Sequence, residues 1–348
     1  MRICIVWEQV QKLVYYILMK IGKINIEKGI LLAPMEGITD LPFRIICKRM
    51  GADIVYTEFI ASEALIRNVQ RSLQKMKIHD EERPVGVQIF GSNVASMIQS
   101  AKIVEDSGAD FLDINFGCWV KKVVNNNSGA AFLKKPELMA EMTSAVVNSV
   151  KIPVTVKTRL GWDKDSIIIL DVAKSLGKVG IAALTVHCRT REQGMKGDAD
   201  WHWAKLVKDE VAIPIILNGD VNSPEDTKRA FDETGCDAVM IARAAIGNPF
   251  IFRRTKEFLN TVVIPNETSV GERIETCLEH LRLTIEHKGF PRGLHEFRKH
   301  YTGYLKGLHN NSYIRQKLVI TESYEEVKDC LLGYLSYLKK HEEEVYNI

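Results

Sequence analysis

Short, almost continuously apolar runs recur from residue 30 to residue 243, and each is followed by a turn and an amphipathic stretch. Such runs are typical of parallel strands covered on both faces, and the intervening stretches show the three- and four-residue spacing of helices. Eight βα units favour a (β/α)8 barrel over a doubly wound open sheet, which usually carries a G-x-G-x-x-G turn after its first strand. The predicted strands are Ile30–Met35, Ile54–Phe59, Val85–Phe90, Phe111–Phe116, Val154–Leu160, Ala183–Cys188, Ile213–Asn218 and Ala238–Arg243.

After Phe252 the pattern changes to amphipathic helices with no strand between them. We therefore predict an N-terminal extension over residues 1–22, a barrel over residues 23–252 and an all-helical domain over residues 253–348. The segment that begins at Met19 reads like a natural first strand, so Met19 is an alternative start of the chain.

Composition sets broad limits on function. The chain has 348 residues, is 46% hydrophobic and carries a net charge of +3, which is too small to indicate a nucleic-acid partner by itself. Seven cysteines with no CxxC pair suit a reduced, cytoplasmic chain, and no apolar run reaches the length of a membrane span. We expect a monomer without an obligate protein partner.

Charge is concentrated in one part of the tail. Residues 287–317 contain seven lysines and arginines against one acid, Glu296, with histidines and tyrosines among them. This stretch is either a solvated helix face or a surface for a phosphate backbone.

Polar residues stand at the ends of nearly all predicted strands, where barrel enzymes place their active sites. Small residues and Arg243 follow strands seven and eight, and loops at that position often bind a phosphate. The sequence has neither the His and Cys spacing of a metal site nor a G-x-S-x-G or Walker loop. The polar strand-end residues are Glu36, Gln88, Asn115, Lys157, Arg159, His187, Arg189, Asn218, Asp220 and Arg243.

Cys118 lies just beyond strand four and precedes Lys121 and Lys122. An isolated cysteine is most often a small buried hydrophobe, but nearby cations lower a thiol pKa and apolar burial raises it. A protonated thiol can act as a general acid and an ionised one as a nucleophile. The sequence leaves both roles open.

Seven separated blocks of the chain stand out: APMEGITDLPFR, VQIFGSN, DINFGCWVKKVV, VTVKTRLGW, LTVHCRTREQG, PIILNGDV and MIARAAIGNPFIF. Together, in this order, they resemble the tRNA-dihydrouridine synthases, particularly the bacterial DusB-like branch. The resemblance covers residues 23–252 and continues loosely into the tail through FRKHYTGYLKG, which is similar to the family's RNA-binding helical domain.

The resemblance implies an FMN enzyme that uses NADPH to reduce the C5–C6 double bond of uridines in tRNA, with Cys118 as the proton donor. It implies cofactor contacts from Pro34, Met35, Glu36, Gln88, Lys157, His187, Asn218, Gly219, Asp220, Ala242 and Arg243. It implies tRNA contacts from Asn115, Arg159, Arg189, Arg298, Lys299 and His300.

The chain departs from the family pattern at three places. Trp119 replaces the proline that usually follows the cysteine, so the loop has a different shape or the indole stacks on a base. Ala242 replaces a common glycine, and Met195 stands where an aromatic residue is often found. Two other functions stay open: an FMN barrel acting on a small molecule, and a non-catalytic RNA-binding module.

Overall fold

A short antiparallel hairpin opens the part of the chain that the structure describes. The computed structural model describes residues 18–346, so residues 1–17 of the predicted extension lie outside the described residues. Strand β1 (Leu18–Ile21) pairs with β2 (Ile24–Glu27). Met19 and Ile21 are fully buried against the barrel interior. The hairpin therefore belongs to the barrel core.

Nine further strands form the barrel, whose predicted (β/α)8 architecture is confirmed. All pairings among them are parallel, in the order β3-β11-β10-β9-β8-β7-β6-β4, with β5 also paired to β6. The ring closes between β3 and β4, because the Leu32 amide donates to the Ile54 carbonyl at 3.0 Å and the Asp53 amide donates to the Ile30 carbonyl at 2.9 Å. The strands are β3 (Gly29–Leu32), β4 (Val55–Tyr56), β5 (Ile60–Ala61), β6 (Val85–Phe90), β7 (Phe111–Asn115), β8 (Val154–Arg159), β9 (Ala183–His187), β10 (Ile215–Asn218) and β11 (Ala238–Ile241).

The second predicted strand, Ile54–Phe59, is the one that differs most from the structure. It is divided into β4 and β5, with a break at residues 57–59. The backbone amide of Gln88 donates to the hydroxyl of Thr57 at 3.1 Å instead of to a strand carbonyl. A side-chain oxygen thus takes the place of a backbone carbonyl in the strand ladder. The pattern of apolar and polar residues does not reveal such a break.

Helices cover the outside of the ring. Their ends follow local rules: Ser223 caps the helix Pro224–Thr234 by accepting a hydrogen bond from the Asp226 amide, and Gly235 ends it in the left-handed conformation. The helices of this layer and its loops are Leu41–Arg49, Ser62–Ile66, Gln70–Met76, Val94–Asp106, Lys121–Val124, Pro136–Val147, Ile169–Val179, His202–Glu210, Pro224–Thr234 and Ile251–Thr261.

A helical domain follows and packs directly on the barrel. Its core includes Leu281, Phe297 and Tyr304. The contact with the barrel is close at Gly303, where an added methyl group would lie 2.1 Å from the Ile246 carbonyl oxygen. The helices are Val270–Lys288, Arg292–Phe297, Tyr301–Tyr304, Asn311–Ile320 and Tyr324–Tyr346.

The helix Ile251–Thr261 contains the predicted division at residue 252. Ile251 and Phe252 pack in the barrel core, whereas Phe250 packs in the core of the helical domain. The chain therefore passes between the two cores without a linker at this point. Within residues 18–346, no helix is both long and apolar enough to cross a membrane.

Candidate active site

A chain of buried side-chain hydrogen bonds runs from the barrel interior to the mouth. Asp113, in the middle of β7, accepts from the Thr155 hydroxyl at 2.5 Å and from Gln88 Nε2 at 2.6 Å. Gln88 Oε1 accepts from Asn115 Nδ2 at 2.7 Å. Asn115 Oδ1 in turn accepts the backbone amides of Gly117 at 3.0 Å and Cys118 at 2.9 Å. The position of Cys118 is thus fixed by a continuous polar network.

Cys118 lies just beyond the end of β7, and the residue is 9% exposed. Burial raises the pKa of its thiol above the usual value, although a hydrogen bond from the Val120 amide and the Arg159 and Lys157 cations oppose the rise. The net direction is upward, so the thiol is protonated at neutral pH. This protonation state favours a general acid over a nucleophile, which the sequence left open.

Lys157 extends from β8 beside β7, opposite Asn115 in the strand register. Its Nζ donates to Asn218 Oδ1 at 2.9 Å, and Asn218 Nδ2 donates to the Met240 carbonyl at 2.8 Å. Burial and the nearby Arg159 lower the pKa of Lys157 to about 8. Lys157 is therefore a positioned ammonium group, still largely charged at pH 7, on the same rim as the thiol.

Arg159, the last residue of β8, joins the loops that follow β7 and β9. Its Nε donates to the Gly117 carbonyl at 2.8 Å, and its Nη1 donates to the carbonyls of Thr190 at 3.0 Å and Gly194 at 2.9 Å. The side chain is buried, and burial together with Arg189 lowers its pKa to about 10 when the opposing influence of Cys118 is included. Arg159 consequently orients the loop that carries Cys118.

A second group of residues forms a cationic cleft after β9, β10 and β11. Asp220 accepts from Arg189 Nη2 at 2.5 Å and from Arg243 Nη2 at 3.2 Å. Arg189 Nη1 is buried and has no hydrogen-bond partner within the described part of the chain. An unsatisfied buried guanidinium donor is costly unless a ligand occupies it, so the cleft fits an anion such as a phosphate.

Gly219 and His187 complete the wall of this cleft. Gly219 has φ +117°, and a methyl group there would lie 2.9 Å from Ala199 Cβ and 3.2 Å from His187 Cδ2, so a side chain would be strained and crowded. Burial, reinforced by Arg159 and Lys157, lowers the pKa of His187 well below its usual range. The imidazole is neutral, so one ring nitrogen can donate a hydrogen bond and the other can accept one.

Sequence comparison identifies the family of this barrel. The model of the family Dihydrouridine synthase (Dus) matches residues 31–338. The chain belongs to the dihydrouridine synthase family. The family predicted from the sequence blocks is therefore confirmed.

Relatives in this family match along most of the chain. It is 38% identical over 310 residues to tRNA-dihydrouridine synthase B of Pasteurella multocida (strain Pm70), covering 89% of this chain and 93% of that protein. It is 39% identical over 323 residues to tRNA-dihydrouridine synthase B of Proteus vulgaris, covering 92% of this chain and 100% of that protein. A probable tRNA-dihydrouridine synthase of Rickettsia bellii (strain RML369-C) is 39% identical over 318 residues, covering 91% of this chain and 98% of that protein.

Solved structures share the fold at low sequence identity. A 2-naphthoyl-CoA reductase complex superposes with a TM-score of 0.56 at 13% identity, over 70% of this chain and 52% of the other. Histamine dehydrogenase from Rhizobium sp. 4-9 superposes with a TM-score of 0.56 at 12% identity, over 77% of this chain and 50% of the other. The old yellow enzyme homologue from Zymomonas mobilis superposes with a TM-score of 0.50 at 14% identity, over 75% of this chain and 95% of the other. These similarities support the barrel fold.

In this member of the dihydrouridine synthase family, the residues that follow β3 lie at the mouth of the barrel. Pro34 and Met35 are partly exposed there. Glu36 pairs with Lys75 at 2.5 Å, and Lys75 also lies 3.6 Å from the buried Glu58. The Glu36 carboxylate is thus directed to the helix Gln70–Met76, while Ala242 packs beside Met240 at the end of β11.

The predicted tRNA contacts of the family's helical domain are distributed unevenly. Lys299 reaches the Gly37 carbonyl across the interdomain cleft, and Arg298 hydrogen-bonds Glu322 at 3.2 Å. His300 is 1% exposed, and its ring lies tilted against that of Phe43 of the barrel with the ring centroids 5.2 Å apart. Docking of the two domains therefore encloses the His300 side chain, and its predicted contact with RNA stays a prediction.

Sequence reasoning missed three residues at or near the candidate site. Asp113 is completely buried, and burial raises its pKa to about 6, although hydrogen bonds from Gln88 and Thr155 counteract this. A carboxylate inside the apolar run Phe111–Phe116 was a usable signal, because a buried charge requires partners. Lys75 and Arg71 lie in an ordinary amphipathic helix, where only the fold shows that they line a cleft between the barrel and the helical domain. Within residues 18–346, no group of three or more His, Cys, Asp or Glu side chains is arranged to hold a metal ion.

Proposed function

We propose that this protein is a tRNA-dihydrouridine synthase that reduces the C5–C6 double bond of particular uridines in tRNA, using FMN and NADPH. The observation that carries the proposal is the placement of the Cys118 thiol and the Lys157 ammonium group on one rim of a barrel belonging to this family. A thiol and an ammonium group on opposite rims would have contradicted it.

The mouth residues fit a flavin mononucleotide. Arg189 and Arg243, held by Asp220, would bind the phosphate, and the unpartnered Nη1 of Arg189 supplies a free donor. Lys157 would lie beside the ring system, where a fixed positive charge stabilises negative charge on the reduced cofactor. Asn218 and Asp220 act mainly on other side chains, since their oxygens already accept hydrogen bonds from Lys157, Arg189 and Arg243.

When bound and reduced by NADPH, the FMN would supply the hydride for C6 of the uracil. Cys118 donates the proton to C5, so the double bond gains one hydride and one proton. The raised pKa keeps that proton on sulfur until the base arrives. Asn115 and Arg159 hold the loop of Cys118 in place through Gly117 and Cys118. We therefore assign both residues positioning roles.

A cleft between the barrel and the helical domain is the proposed entry for the tRNA backbone. It encloses about 360 Å³. Its walls carry Arg71, Lys75, Lys77, Lys288, Arg292 and Lys299 against the acids Asp40, Glu58 and Glu296. An excess of cations next to a catalytic mouth attracts phosphates in a salt-dependent way. We assign residues 23–252 to catalysis and residues 253–348 to tRNA binding.

Replacement of the thiol tests the function. We expect purified Cys118→Ala to bind FMN as the wild type does and to form dihydrouridine in tRNA about 10²- to 10⁴-fold more slowly, the usual loss for a general acid. Cys330→Ala is the control, because Cys330 lies in the tail helix Tyr324–Tyr346. A Cys118→Ala protein that forms product at the wild-type rate removes Cys118 from the mechanism, and a colourless wild-type protein that never oxidises NADPH contradicts the whole proposal.

A further inference from the structure

The residue after the proposed proton donor is an exposed tryptophan. Trp119 is 40% exposed, although it follows the buried Cys118 directly. Tryptophan is the largest apolar side chain, and leaving it in water at a catalytic mouth forgoes the stability that its burial gives. The position therefore points to a ligand that covers the indole.

One face of this indole is already packed. A methyl group on Gly194, which has φ +58°, would lie 3.1 Å from Cε3, 3.2 Å from Cζ3 and 3.4 Å from Cδ2 of Trp119. These three ring atoms are bonded in a row, and their distances from the methyl group are nearly equal. A methyl group that approached in the plane of the ring would be clearly closer to one or two of them than to the third. The Gly194 backbone thus lies against the face of the six-membered ring, and the solvent-exposed area belongs to the rest of the indole.

The support under the ring is fixed by Arg159. Its guanidinium binds the Gly117 carbonyl, two residues before Trp119, and the Gly194 carbonyl beneath the indole. The segment that carries the ring and the segment that supports it are therefore joined by one buried side chain. A rigid aromatic surface loses little entropy when a flat ligand stacks on it.

The surroundings of Trp119 indicate what that ligand is. Val120 is 46% exposed and Met195 is 38% exposed, so the apolar rim extends beyond the indole. Lys121 and Lys122 follow as exposed cations. A flat apolar surface flanked by cations matches a nucleotide, with its base on the ring and its phosphate near an ammonium group.

We propose that Trp119 is a stacking platform for a base that flanks the target uridine in the RNA substrate. The inference rests on the proposed function. The target uracil itself must reach the recessed thiol of Cys118, so the base on the exposed rim is a neighbour of the target. Extruding a uridine breaks its stacking on adjacent bases, and the indole replaces one of those lost contacts.

Substitutions separate stacking from simple apolar contact. We expect Trp119→Leu and Trp119→Ala to raise KM for tRNA by about 5- to 100-fold, with kcat within about threefold of wild type, as expected when an interaction present in both ground and transition states is removed. Trp119→Phe keeps an aromatic face and should stay within about threefold of wild type in KM. Equal KM values for the Phe and Leu variants, or a loss confined to kcat, overturn the proposal.

Fluorescence gives a readout that needs no turnover. Stacking of a base on Trp119 should quench part of the emission of the five tryptophans when tRNA is added without NADPH. The quench should disappear in Trp119→Phe and persist in the control Trp203→Phe, on the outer helix His202–Glu210. If the wild type makes dihydrouridine but the quench survives in Trp119→Phe, only the stacking platform is wrong. If the wild type makes no dihydrouridine at all, the proposed function fails independently.

Discussion

Removing the side chain of Asn115 is the sharpest test of how the polar network controls the thiol. In Asn115→Ala the amides of Gly117 and Cys118 lose their acceptor, and Gln88 Oε1 loses its donor. Two unsatisfied buried amides lower the free energy of unfolding by about 2–6 kcal/mol. The lower half of this range is the better estimate, because Gly117 is partly exposed and its amide can bind water.

The loss should appear in the chemical step as well as in stability. A shift of about 1 Å in a catalytic group reduces the rate by about 100-fold. We therefore expect Asn115→Ala to lose about 100-fold in the single-turnover rate of dihydrouridine formation by the pre-reduced enzyme. The affinity for tRNA should change little, because Asn115 is buried and its oxygen and one amide hydrogen are engaged by the protein.

A matched control and a clear refutation are available. Asn148 lies at the exposed end of the helix Pro136–Val147, and its side chain makes one long hydrogen bond, of 3.4 Å, to the Ser144 hydroxyl. Asn148→Ala should leave both the rate and the stability near wild type. If Asn115→Ala is destabilised but reacts at a wild-type single-turnover rate, the network stabilises the fold without positioning Cys118.

Three further predictions concern charge and packing. Because burial lowers the pKa of Lys157 to about 8 and the charged form is the active one, kcat/KM for tRNA should fall as pH rises through about 8; a profile flat to roughly pH 9 contradicts this role. Arg44 and Glu82 form a buried ion pair at 2.5 Å, so Arg44→Met should lower the free energy of unfolding by about 3–5 kcal/mol in denaturant titrations, and a wild-type midpoint would contradict the pairing energy. Gly303→Ala should cost about 1–3 kcal/mol because the methyl group meets a barrel carbonyl at 2.1 Å, whereas Gly333→Ala, with no atom within 4 Å, should be neutral or stabilising; equal melting curves would count against close interdomain packing.

The barrel could be predicted from sequence because its strands are covered on both faces. Apolar runs such as Phe111–Phe116 and Ala183–Cys188 therefore mark β7 and β9 almost to their ends. The strand ends also predicted the rim residues, since parallel strands bring their carboxyl ends to one edge. Fold class and the general location of the site followed from these two regularities.

The partners of the rim residues could not be predicted. Lys157 and Asn218 are 61 residues apart, and only the barrel register brings them together. The basic stretch around His300 has the composition of an exposed surface, but docking against Phe43 buries the imidazole. Both outcomes depend on long-range packing, which local composition does not encode.

The opening hairpin has a consequence for anyone who shortens the chain. A fragment that begins at Lys23 would lose β1 and leave β2 without its antiparallel partner. It would also lose Met19 and Ile21, and fully burying side chains of this size contributes about 1.5–3 kcal/mol each. Gly22 packs on Pro153, just before β8, so the cut would uncover the end of the barrel remote from the thiol. Residues 18–22, although remote from the thiol, therefore close the bottom of the barrel.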